Sequence, residues 1–534
     1  MKNNISYAIT TFLFVFVLNL SLSSQNQKIV IYFKDKPTTD FNPFTFFNQK
    51  AIDRRVRHNL PLYDYSDLPV NNTYVGLIEE HTQEVKAVSR WLNATIAWAN
   101  HVEIEKIKTF EFVSNVEIVN IQEKVIAKFE AETAESQEWE KMRQKQINRM
   151  GYSNFKEKGI DGSGVRIAIF DAGFPYVNEH EAYQHLFKNN KIIKTYDFVK
   201  DKEDVYGASS HGAMCLSNVG GISPNGPLGL ATGAEFLLAR TERGLLEPFS
   251  EEENWLMAAE WADKNGADII SSSLGYTQKR YTTDELNGYT SLVSKAARFA
   301  IRKGILVVNA AGNEGTDDWK YLVTPGDVDS VLTIGGIDPT SDYHINFSSY
   351  GPNANNQLKP NVCAFGIAAV ANKKNTYKIV SGTSFATPLT AGFAACVLQL
   401  NPTFTNMQLF KAIEKSGHLY PYFDYAHGYG IPQANKITDQ SNKVSPTFKL
   451  EDTGAELHVR ISNYKPDDVL DNKSDGYLYY HFGKQGGTLA SYGVIKVKSD
   501  NPISFLKDEI KENKLIRIHY RGYTLTKDLK AIEQ

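Results

Sequence analysis

The chain has 534 residues, 58 basic against 61 acidic, and a formal net charge of −3. Apolar residues make up 42% and charged residues 22%, which excludes a wholly disordered, collagenous or coiled-coil protein and predicts about three to four folding units. So even a charge gives no cationic field to hold nucleic acid or an anionic membrane, and three cysteines (Cys215, Cys363, Cys396) form no disulfide framework, so a buried core must carry stability.

Residues 1–24 read as a secretory signal peptide. Lys2 supplies the positive start, residues 11–20 (TFLFVFVLNL) the apolar run, and Ser21 to Ser24 the small residues for cleavage. The run is well short of the ~20 apolar residues that span a bilayer. No cysteine follows it to carry a lipid, and no later stretch reads as a span. The expectation is an exported protein, extracellular or periplasmic, with no membrane anchor.

Residues 25–122 alternate strand and helix and predict a small α+β unit. Lys28 to Phe33, Ala94 to Ala99 and Val113 to Ile121 read as strands. Phe46 to His58 and Val85 to Leu92 read as helices. Residues 123–144 turn acidic, with Glu123, Glu130, Glu132, Glu135, Glu138 and Glu140, as suits a cleavable linker or a solvated helix. From 145 to 440, short apolar runs (Val165 to Phe170, Asp268 to Ser271, Gly304 to Val308, Val331 to Ile334) alternate with helical stretches at Glu253 to Lys264 and Leu292 to Lys303. That texture predicts an α/β region with a parallel sheet covered on both faces. Residues 445–534 read as a β-rich domain, with strands at Glu456 to Ile461, Tyr477 to Phe482 and Leu515 to Tyr520.

A serine hydroxyl becomes a nucleophile when a neutral imidazole takes its proton and a carboxylate orients that imidazole. It also needs donors for the oxyanion that develops. Asp171 ends the strand in VRIAIFDAGF, at the sheet edge where α/β sites form. His211 stands in GASSHGAMC, before a helix from about Gly212. Ser384 stands in SGTSFATP, at the start of a helix over Ala386 to Leu400 in which Pro388 is tolerable only in the first turn. Small residues (Ala391, Gly392, Ala394, Ala395) allow that helix to be buried deeply. Asn313 follows a strand in VVNAAGNEG, where Gly312 and Gly315 permit unusual backbone angles. Each has a plain alternative: a turn aspartate, a surface histidine, an N-cap serine, an asparagine-rich turn.

Taken together, DGSGVRIAIFDAGF, SSHGAMC, IISSSLGY, VVNAAGNEG and SGTSFATP resemble the subtilisin-like serine proteases, the subtilases. The resemblance covers roughly 145–440 and implies an α/β, three-layer sandwich with a mostly parallel central sheet. It implies Ser384 as nucleophile, His211 as general base, Asp171 as its orienting partner and Asn313 in the oxyanion hole. It also implies that Ser273, Leu274 and Gly275 pair with substrate backbone. Ala310, Ala311 and Gly312 would line the opposite wall of the pocket for the residue before the scissile bond, an open pocket suited to a bulky apolar side chain. The front unit, through KAVSRWLNATIAWANHVEIEKI, resembles the family's inhibitory propeptides, which implies a zymogen held by its own propeptide and protein or peptide substrates. The chemistry needs no cofactor. Structural calcium enters only by the resemblance, with Asp317, Asp318, Asp327 and Asp329 as candidate ligands and no metal site assigned.

Two departures stand out. Ala213 and Met214 replace the Thr-His that usually follows the His-Gly pair, and Ala172 stands where Ser or Thr is common; both remove hydrogen-bonding groups near the triad. Cys215 resembles the free cysteine beneath the histidine in proteinase K-like members. His180, Glu181 and His185 suggest zinc, but the second histidine falls at i+5, about 140° round a helix from the first instead of on one face. The absence of G-x-S-x-G excludes the α/β-hydrolase pattern. The alternatives to a secreted endopeptidase are an inactive scaffold and a transpeptidase or macrocyclase using the same three residues.

Overall fold

The computed structural model describes residues 26–529, apart from 38–39, 120–123, 126–130, 133–135, 244–245, 278–279, 440–443, 463, 465–475 and 485–486. The expected signal peptide lies outside the described residues.

The centre is a seven-stranded sheet in the order Val362–Phe365, Leu332–Ile337, Leu306–Ala310, Ile269–Ser272, Arg166–Asp171, Glu235–Arg240, Ile192–Asp197. Every neighbouring pair is parallel. All but the edge strand Ile192–Asp197 are buried on both faces, as their apolar runs require. Side chains alternate between the faces with the strand period of two. Ile167 and Ile169 pack with Leu216, Val219, Leu389 and Phe393 of helices His211–Gly220 and Thr383–Leu400. Ala168 and Phe170 pack with Trp255, Ala259, Val293 and Ala297 of helices Ser250–Lys264 and Leu292–Arg302. The result is the expected three-layer α/β arrangement. Arg166–Asp171 is the first strand laid down, and the chain then winds to both sides of it. The order therefore reverses beside that strand, and crevices form at such a point beyond the carboxyl ends of the strands.

Helix Thr383–Leu400 has the length and apolar character of a membrane span, but 89% of it is buried inside the protein. Its small residues allow this: a Cβ on Gly392 would come within 3.2 Å of the Val219 carbonyl. Apolar character that could serve a membrane here serves the core.

The N-terminal unit is a four-stranded antiparallel sheet, ordered Glu84–Ser89, Ala94–Ala99, Gln27–Phe33, Val113–Ile118. Helices Gln49–Arg57, Asn72–Glu79 and His101–Ile107 accompany it. The helix expected over Val85 to Leu92 is instead strand Glu84–Ser89. It forms a hairpin with Ala94–Ala99, and Asn93 turns the chain at φ 50°. Pairing with Thr95, Ile96 and Ala97 outweighs the weak local preference of so short a stretch. Helix Ser136–Asn148 falls partly in the acidic stretch. Trp139 and Ile147 join the main core. Two short pairings precede it: Lys124–Val125 with Leu246–Glu247, and Ala131–Glu132 with Ile379 and Val380. The C-terminal region forms two antiparallel sheets around Leu457, Val459, Leu478, Ile516 and Ile518.

Candidate active site

Three distant segments meet where the strand order reverses. Asp171 ends the central strand and is fully buried. His211 is the first residue of its helix. Gly212 lets that helix approach, since a Cβ there would fall 2.5 Å from the Gly173 carbonyl and 2.8 Å from the Asp171 side chain. His211 Nδ1 lies 2.7 Å from Asp171 Oδ1, which also accepts the Ala172 N–H at 2.7 Å. Asp171 Oδ2 is buried and has no hydrogen-bond partner among the described residues. Ala172 carries no hydroxyl that could donate to it.

Ser384 is the second residue of helix Thr383–Leu400, and Gly382 is the cap, at φ 144°. Ser384 is therefore not an N-cap serine; as an early helical residue its N–H has no intrahelical acceptor. Pro388 lies in the second turn, not the first as expected from the sequence. A residue there would ordinarily donate to the carbonyl four positions back, which is that of Ser384, and proline has no N–H to give. The released Ser384 carbonyl accepts instead from Ser273 Oγ at 2.8 Å and Cys215 Sγ at 3.4 Å. The helix start is thereby tied to the sheet edge and to the histidine helix. The Ser384 hydroxyl donates to the Ser273 carbonyl at 3.3 Å, and Phe385 lies beside the imidazole with ring centroids 5.5 Å apart.

Asn313 faces the same helix start. Its Oδ1 accepts from the Thr383 N–H at 2.9 Å and the Thr383 hydroxyl at 3.0 Å. With Oδ1 so engaged, Nδ2 of the amide lies 3.7 Å from where a Gly382 Cβ would stand, beside the helix cap. Such a fixed amide can donate to an oxyanion at no reorganisation cost.

Ser273, Leu274 and Gly275 follow strand Ile269–Ser272, while Ala310 ends the next strand and leads into Ala311 and Gly312. The two segments are neighbours. Asn309, buried in an otherwise apolar strand, donates to the carbonyls of Leu274 at 3.0 Å and Ala310 at 2.9 Å. Asn309 and Ser273 Oγ are positioning groups that the motif reading passed over. An asparagine inside LVVNA was the available signal for the first, because a buried amide needs partners.

Asp171, His211 and Cys215 form the one group of three metal-binding side chains that converge among the described residues. Cys215 Sγ lies 3.8 Å from His211 Nδ1. Burial, reinforced by the Asp171 charge, pushes its thiol pKa well above the ordinary range, so the sulfur stays protonated. The four candidate calcium aspartates do not converge. Asp327 is buried and accepts from the Gly288 N–H at 2.7 Å and Ser294 Oγ at 2.8 Å, whereas Asp329 faces Arg298 at 3.3 Å. His180 and His185 also part ways, lying 3.2 Å from the Thr376 carbonyl and 2.9 Å from the Gly220 carbonyl.

Comparison with known proteins gives relatives for both halves. A family profile described as "Subtilase family" matches residues 162–430, and one described as "Peptidase S8 propeptide domain, Bacteroidota" matches residues 28–138. Serine protease AprX of Bacillus subtilis (strain 168) is 30% identical over 287 residues. That match covers 48% of this chain and 62% of AprX, under two thirds of its length. Subtilisin BL of Lederbergia lenta is 27% identical over 269 residues, covering 49% of this chain and 87% of that protein. Among solved structures, fervidolysin from Fervidobacterium pennivorans, "a keratinolytic enzyme related to subtilisin", superposes with a TM-score of 0.56 at 15% identity. It covers 92% of this chain and 70% of its own, and at that identity the likeness is one of fold.

Proposed function

This chain belongs to the subtilase family of serine peptidases, and from that premise we propose that it is an exported endopeptidase, made as a zymogen, that cuts peptide bonds through Ser384, His211 and Asp171. The observation that carries the reading is the 2.7 Å contact between His211 Nδ1 and Asp171 Oδ1, with Ser384 at the adjoining helix start. Asp171 accepts from Nδ1–H and so leaves Nε2 as the basic nitrogen. Ser384 Oγ leaves the Ser273 carbonyl, gives its proton to Nε2 and attacks the scissile carbonyl. The developing oxyanion takes donors from Asn313 Nδ2 and the Ser384 N–H. The imidazolium then protonates the leaving amine, and water hydrolyses the acyl-enzyme by the reverse proton path.

The zymogen reading rests on the propeptide match over 28–138 and on the N-terminal unit's seat against helices Ser250–Lys264 and Leu292–Arg302. The export reading rests on the first 24 residues. No cofactor is needed for the acid–base steps.

Ser384→Ala provides the test. Casein hydrolysis should fall by at least about 10⁴-fold, and the full-length chain should accumulate with its propeptide attached. Hydrolysis and maturation that both proceed unchanged would refute the assignment. Products capped by an added amine in preference to water would assign a transpeptidase instead.

A further inference from the structure

We infer that Val323 fills the floor of the pocket for the residue before the scissile bond, so that this protein cuts after small side chains. The inference rests on the catalytic reading above and corrects the expectation of an open pocket for bulky apolar residues. The two proposed walls, Ser273 to Gly275 and Ala310 to Gly312, do not enclose empty space between their glycines. A Cβ on Gly275 would collide with Val323 Cγ2, and a Cβ on Gly312 would lie 2.5 Å from Val323 Cγ1. The side-chain-less faces of both glycines therefore meet opposite methyls of one isopropyl group.

Val323 is held there by both walls. Its N–H donates to the Ala311 carbonyl at 3.0 Å. The next residue, Thr324, exchanges backbone hydrogen bonds with Tyr276 at 3.2 and 3.1 Å, directly after Gly275. Thr324 Oγ1 is tied in turn to Ser294 at 2.6 Å. Val323 is only 3% exposed, and a β-branched side chain is stiff at χ1, so it resists moving aside. A substrate methyl or hydroxymethyl can rest on such a floor. An aromatic ring would have to displace packed atoms, which close-packed interiors resist.

Glu314 is the competing determinant. Its Oε2 would lie 2.5 Å from a Gly312 Cβ, so a carboxylate borders the same wall and could attract a basic side chain. Ser349 Oγ donates to that oxygen at 3.1 Å, which turns the carboxylate toward Ser349.

The test uses mature enzyme and peptides that differ only at the residue before the cut: Ala, Ser, Leu, Phe and Lys. Ala and Ser should exceed Phe and Leu in kcat/KM by about 10–200-fold, the range by which a pocket rejects a misfitting group. Val323→Gly should raise the Phe-to-Ala ratio at least about tenfold, and Val323→Ala should move it the same way by less. The second variant keeps the test decisive if the first fails to fold. Wild-type enzyme that prefers Phe or Leu, a best substrate ending in Lys, or a ratio that neither variant moves would overturn the inference. Casein hydrolysis that depends on Ser384, together with any of those results, sinks only this inference. Casein hydrolysis that persists unchanged in Ser384→Ala sinks the catalytic reading beneath it.

Discussion

The peptidase unit is held on two sides by surfaces of opposite chemistry. Toward the N-terminal unit the contact adds a buried ionic network to an apolar patch that includes Val30, Trp91 and Ile96. Asp263 receives Arg54, Arg55 and Arg90, the last two at 3.0 Å. Asp67 joins Arg90 at 2.7 Å and Lys303 at 2.8 Å, and Glu260 takes Ser89 Oγ at 2.6 Å. Toward the C-terminal domain the contact is aromatic and imidazole-rich. Tyr422 stacks on His481 with centroids 5.1 Å apart, and His427 meets Tyr479 edge-on at 5.4 Å. His481 Nδ1 lies 2.6 Å from the Phe423 carbonyl, and Tyr422 Oη donates to Asp424 at 2.9 Å. Charged groups regain water when two surfaces part, whereas an exposed aromatic patch invites aggregation. The first surface suits a partner that is later released, the second one that stays.

The largest effect expected from this contrast is at Asp263. In the Ser384→Ala chain, Asp263→Asn leaves three guanidinium groups short of a buried counter-charge and should destabilise the N-terminal unit by about 3–5 kcal/mol in urea unfolding. A loss under about 1 kcal/mol would mean the network is ornamental. At the other surface, Tyr422→Phe removes the hydroxyl that reaches the Asp424 carboxylate at 2.9 Å and, across the contact, the Tyr480 carbonyl at 3.2 Å, and should lower stability by about 2 kcal/mol, read from the same curves; a larger loss than at Asp263 would invert the comparison.

Acid should separate the two surfaces. Burial lowers His344 and His481 to about 4 and His519 to about 3, and it also lowers His418, which Arg149, His519 and Lys436 depress further. A lowered histidine contributes stability that is complete above its unfolded value near 6.5 and is lost as pH falls toward the folded value. At the N-terminal surface the arginines hold Asp263 well below 3.8 despite its burial, so that contribution survives until far lower pH. Burial raises Glu253 and Glu260, which therefore bind protons more readily in the folded state and do not favour separation in acid. His58, lowered to about 4, is the exception on that side. Between pH 6 and 4, hydrogen exchange should rise first in Tyr477–Gly483 and Leu515–Tyr520; earlier exchange in Gln49–Arg57 would break the contrast.

The smallest-scale expectation concerns where maturation parts the units. The chain pairs with Leu246–Glu247 at 124–125 and with Ile379 and Val380 at 131–132. The cut should fall between those pairings, and a pocket floored by Val323 favours the bond after Ala127, the one small residue from 126 to 130. N-terminal sequencing that finds a mature start outside 126–131 would remove this expectation.

Much was legible because local physics and motif agreed. Apolar runs such as Val165 to Phe170 admit few readings besides buried strands, and the segments around Asp171, His211, Asn313 and Ser384 each sit where a strand or helix ends. The misread stretch, Val85 to Leu92, has no strong pattern of its own; its strand exists because Ala94–Ala99 lies beside it. Pro388 is visible in the sequence, but its effect is not. Only the folded helix shows that the carbonyl it releases belongs to Ser384 and is held by Ser273 and Cys215.

The sequence by itself determined the family, because the family's motifs reside in short segments with strong local preferences. The contact of Val323 with Gly275 and Gly312, on which the proposed filled pocket rests, comes from the tertiary structure alone. Val323 lies 11 residues from Gly312 and 48 from Gly275, and contacts at such separations are set by how the sheet brings loops together, which no local pattern encodes.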